Sequence, residues 1–62
     1  MATQQNITWA FDSKFGEWRC NRLATVCIIE FSGGYCVETP RGTRFTGATL
    51  AEAKGFIEAN LL

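Results

Sequence analysis

The sequence predicts an α+β fold: an antiparallel β-meander of four to five strands with one C-terminal helix packed on one face. Three observations predict it. Short runs of β-branched and aromatic residues, separated by Gly, Pro, Asn and Asp, occupy residues 7–47. A helix-capping motif opens a periodic apolar stretch at Thr49. The chain has 62 residues, 47% of them apolar, which suits one core and no second domain.

The first element rests on Ile7, Trp9 and Phe11, which alternate with Thr8 and Ala10 in the period of a half-buried strand. Residues 1–6 are polar and are expected to be disordered or extended. Asp12 to Gly16 carries turn formers at both ends. A second strand, Glu17 to Arg22, places Trp18 and Cys20 on one side, and a loop of four or five residues makes the pair a hairpin.

Thr25 to Phe31 is the strongest strand. It is apolar on both faces, which predicts a central or doubly covered position. The Ser32-Gly33-Gly34 stretch is a turn, and Tyr35 to Thr39 returns from it. A three-residue loop is expected, pairing Phe31 with Tyr35, Ile29 with Val37 and Cys27 with Thr39. A two-residue loop is set aside as opposing Ile29 to Glu38 and Glu30 to Val37. Pro40 ends this strand because it has no N–H for a ladder. Thr43 to Thr46 makes a short strand around Phe45, and Gly47 breaks it.

In the helix, Thr49-Leu50-Ala51-Glu52 is a capping box: the Thr49 hydroxyl accepts from the Glu52 amide and Glu52 reaches back. Leu50, Ala53, Phe56, Ile57 and Leu61 then form one apolar stripe. Gly55 has two readings: a weak point in the helix, or a close approach of sheet backbone.

Much chemistry is disfavoured by composition. There is no histidine, the commonest general base and transition-metal ligand. Cys20, Cys27 and Cys36 have no C-x-x-C spacing and are expected to be free thiols, so no metal and no cofactor is expected. No phosphate-binding glycine loop occurs. Glu30 and Glu38, placed on one face by the expected register, form a candidate carboxylate pair for hydrolysis, and Cys20 beside Arg19 and Arg22 a candidate nucleophile. The glutamates are read instead as a solvated hairpin face neutralised by flanking arginines, the chain is too small for a deep pocket, and the cysteine lacks a base partner, so the chain is not expected to be an enzyme. Six basic and six acidic residues cancel, which removes long-range attraction to nucleic acid or membrane. No apolar run is long enough to span a bilayer, no leader is seen, and a cytoplasmic location is expected.

Eight aromatic rings in a chain this small are more than one helix can cover. With Phe31, Tyr35, Ile29, Val37 and Phe45 under the helix, Trp9, Trp18, Val26 and Ile28 are expected to be left as a docking face, with arginines at its rim. The expected partner contact is Trp9, Trp18, Arg19, Val26, Ile28 and Arg44. A second copy of the chain would also suit such a face. The alternative is nucleic acid held by Arg19, Arg22, Arg41 and Arg44 between stacking rings.

Gly33-Gly34-Tyr35-Cys36-Val37-Glu38-Thr39-Pro40, followed by Gly47-Ala48-Thr49-Leu50-Ala51-Glu52-Ala53, resembles the core of HicB-type antitoxins. The resemblance covers roughly the second half of the chain, and it implies a sheet-plus-helix unit that occludes a small RNase toxin. In size and style the chain also resembles small phage and prophage proteins, including anti-CRISPR inhibitors. The expectation is therefore a phage-borne inhibitor that covers a surface of a bacterial toxin or defence protein.

Overall fold

A computed structural model describes residues 7–62, so the expectation for residues 1–6 lies outside the described residues. Five antiparallel strands follow one another in space as in sequence: β1 (Trp9–Asp12), β2 (Glu17–Cys20), β3 (Leu23–Phe31), β4 (Gly34–Thr39) and β5 (Gly42–Gly47). A single helix, α1 (Leu50–Asn60), packs on β3, β4 and β5. This is the α+β meander that the sequence predicts, with β3 at the centre.

The turns follow their local chemistry. Asp12 opens the four-residue β1–β2 loop. Its carboxylate accepts from the Lys14 and Phe15 amides at 3.0 and 3.4 Å, and its carbonyl accepts from Gly16 N at 2.7 Å. Pro40 stands directly after β4, as expected. At the helix start, Glu52 N donates to Thr49 Oγ1 at 3.1 Å and Thr49 N donates to Glu52 Oε1 at 3.3 Å, which completes the capping box. Ala48 N also donates to Glu52 Oε1, at 2.9 Å.

The register of the central hairpin differs from the expected one. Phe31 pairs with Gly34, Glu30 with Tyr35, Ile29 with Cys36, Ile28 with Val37 and Cys27 with Glu38. The loop is therefore the two residues Ser32 and Gly33, and Gly33 at φ 99° supplies the left-handed step that a side chain resists. The two-residue loop set aside from the sequence, Gly33-Gly34 with Ile29 opposite Glu38 and Glu30 opposite Val37, lies two residues out of this register. Both registers set a glutamate against an apolar or aromatic residue: the observed one opposes Glu30 to Tyr35 and Glu38 to Cys27, while the three-residue loop would oppose Glu38 to Ile28.

A one-residue shift exchanges the faces of β3. Val26 and Ile28, not Ile29 and Phe31, lie beneath the helix. They form the core with Val37, Ala53 and Ile57. Ile28, Val37, Ala53 and Ile57 are fully buried, and each large aliphatic side chain among them contributes about 1.5–3 kcal/mol. The predicted helix stripe does face inward: Phe56 stacks on Phe45 with ring centroids 5.0 Å apart, and Leu50 and Leu61 border the core.

Candidate functional site

The helix leaves two features open on its own side of the sheet. The first is an aromatic corner on the β1–β2 hairpin. The pairing of Trp9 with Cys20 and Phe11 with Trp18, and then of Trp18 with Ile28, carries these side chains onto the core face. Because α1 packs on β3 to β5, the rings stand beside it. Trp18 and Phe11 meet at 5.2 Å in a tilted contact, and Phe11 remains 50% exposed. Lys54 leans from the helix over both indoles, its ammonium 4.9 Å from the Trp18 ring centre and 5.4 Å from that of Trp9.

The second is an open cleft of about 270 Å³ at the end of the sheet where the helix finishes. Leu23, Val26, Pro40 and Leu61 give it an apolar lining, and Arg41, Arg44 and Thr39 complete it. A β-bulge brings Arg44 there. Val37 pairs with Phe45 while the next residue, Glu38, pairs with Thr43, so Arg44 is the extra residue of β5.

The expected contact residues are divided by this arrangement. Trp9 and Trp18 both lie under Lys54. Val26 and Arg44 both line the cleft. Ile28 is wholly buried and Val26 nearly so, which corrects their assignment to an exposed docking face; the register shift is the reason. Arg19 lies on the opposite, helix-free face, where it forms an ion pair with Glu17 and donates to the Ala24 carbonyl at 2.8 Å. The arginines of the nucleic-acid alternative are split in the same way, Arg19 behind the sheet and Arg22, Arg41 and Arg44 near one end.

The candidate chemistry also separates. The register puts Glu30 and Glu38 on opposite faces, so they are not a carboxylate pair. Cys20 is buried on the core face, away from the Arg19 guanidinium. Cys27 and Cys36 are free and half-buried on the helix-free face. Burial raises the Cys27 thiol above its ordinary value, and the charge and hydrogen bond of Glu17 add to this. Burial raises Cys36 too, helped by its hydrogen bond to Glu38 Oε2 at 3.4 Å. Both shifts work against a thiolate nucleophile. The Thr43 hydroxyl also donates to Glu38.

Sequence reasoning missed Phe11 and Lys54 as site residues. A signal was present for Lys54, which follows Leu50 by one helical turn at the margin of the apolar stripe. No signal marked the cleft, since it depends on the bulge. Among the described residues no helix is long and apolar enough to cross a membrane. Compared with known family models, curated proteins and solved structures, the chain matches none of them.

Proposed function

We propose that this chain is a non-enzymatic protein-binding module, and that it inhibits a bacterial protein by covering a functional surface. The observation that carries the reading is the aromatic corner: two tryptophans and a half-exposed phenylalanine outside the helix footprint, with Lys54 above them. Large rings flanked by a cation are the side chains that most often dominate binding energy at protein interfaces. The resemblance of the second half to HicB-type antitoxins, read from the sequence alone, is the ground for a bacterial target. The contact centre is Trp9, Phe11, Trp18 and Lys54, with Trp9 and Trp18 kept from the sequence reading.

The test is affinity capture from bacterial lysate by the immobilised chain, with two phenylalanine variants compared. Truncating a ring at an interface centre costs about 2 kcal/mol or more, roughly thirtyfold in affinity. A protein retained by the wild type is expected to be lost with Phe11→Ser and kept with Phe15→Ser, since Phe15 is 67% exposed in the β1–β2 loop, outside the corner. Equal retention by both variants, or capture of nothing, refutes the reading.

A further inference from the structure

We infer that the cleft at the end of α1 is a docking site for an acidic peptide segment, taking one apolar side chain with a carboxylate beside it. The inference rests on the protein-binding reading and adds a second contact with its own chemistry. Leu23, Val26, Pro40 and Leu61 offer an apolar floor, and Arg41 and Arg44 stand at its margin. Both arginines are exposed, and among the described residues neither lies within ion-pair distance of a carboxylate. Glu38, the carboxylate of β4 near this end of the sheet, is held on the other face by Thr43 and Cys36. Glu58 of the helix is exposed and pairs with neither arginine. Two unpaired guanidinium groups beside an apolar hollow therefore complement an anion attached to an apolar body.

The bulge strengthens this assignment. In a regular ladder Arg44 would alternate with Phe45 and point to the helix-free face. The extra residue in β5 brings it to the cleft instead. At about 270 Å³ the opening falls below the range usual for pockets that enclose a small molecule, and it suits a protruding side chain of Leu or Phe size. No aromatic ring lines it, so it lacks the stacking platform on which a single-stranded nucleic acid would be held.

An amide NMR titration of the full chain tests the assignment. The probe is an end-blocked Ser-Gly-Asp-Phe-Gly-Ser peptide, compared with its Asn-Phe and Asp-Ser counterparts, octanoate and an oligothymidylate. Saturable shifts centred on Leu23, Val26 and Leu61 are expected with the Asp-Phe peptide. Affinity is expected to fall roughly fivefold with either altered peptide and with Arg41→Gln or Arg44→Gln. Arg22→Gln, outside the cleft, leaves it unchanged. Absence of saturation at millimolar peptide, equal response to the Asn-Phe peptide, or tighter binding of octanoate or the oligonucleotide overturns the assignment. The two readings fail separately. A silent titration with intact Phe11-dependent capture removes the cleft alone, while a positive titration without that capture removes the aromatic corner.

Discussion

The thiols show how far a single residue's neighbours alter its chemistry. Cys27 and Cys36 sit on the helix-free face, each with a carboxylate at hand and each partly desolvated. Both influences penalise the thiolate, so the folded values lie above that of a free cysteine thiol. The sign follows directly. A raised folded value means that the unfolded chain releases these protons first, so stability is retained below the unfolded value and declines as pH climbs through and beyond it. Urea midpoints are expected to fall between about pH 8 and 10, and to fall less in a Cys27→Ala, Cys36→Ala double variant. An identical decline in the double variant would show that other groups cause it. None of this was legible from the cysteine count, which indicated free thiols but not their face or their neighbours.

At the scale of elements, local signals were read well and long-range pairing was not. The capping box, the apolar stripe, the proline stop and the Asp12 loop all depend on residues within a few positions, and all are present. The β3–β4 register depends on one glycine torsion at Gly33, and β3 is apolar on both faces, so hydrophobic pattern alone does not rank the alternatives. Gly55 is now resolved. A Cβ built there meets nothing within 4 Å, so no backbone approaches and the glycine simply weakens the helix. Gly55→Ala is therefore expected to stabilise the protein by about 1 kcal/mol, which raises Tm by about 4–8 °C in a domain of this size. An unchanged or lower Tm in a thermal melt contradicts it. Close approach occurs instead at Gly34, where a Cβ would collide with the Gly47 carbonyl oxygen.

For the molecule as a whole, one small core joins sheet and helix. Val26, Ile28 and Val37 from the sheet pack with Ala53 and Ile57 from the helix, and the three cysteines form no disulfide. A core of this size supplies only about 3–5 kcal/mol of net stability. Placing a carboxylate inside it costs more than that can offset. Ile57→Asp is thus expected to abolish helix circular dichroism and native tryptophan fluorescence together, and the wild-type urea transitions by the two probes are expected to coincide. A folded sheet surviving loss of the helix would refute this single cooperative unit.

Much of the candidate site came from this scale. The sequence indicated more rings than one helix covers, and Trp9, Phe11 and Trp18 do stand outside its footprint. It misplaced Val26 and Ile28 because their face was inherited from the wrong loop length. It set the arginines together at the rim of that face, whereas the meander and the β5 bulge place Arg41 and Arg44 around a separate hollow.

By itself, then, the sequence determined the element order, the turn positions, the helix cap and the inward stripe of the helix. Those follow from torsional preferences and from hydrogen bonds closed within a few residues. Only the tertiary structure decided which face of β3 is buried, which rings the helix leaves uncovered and where Arg44 points. These outcomes depend on hairpin register and on the lateral reach of one helix. A single residue of slip reverses every side chain along a strand, and no local preference opposes it in a strand with apolar residues on both faces.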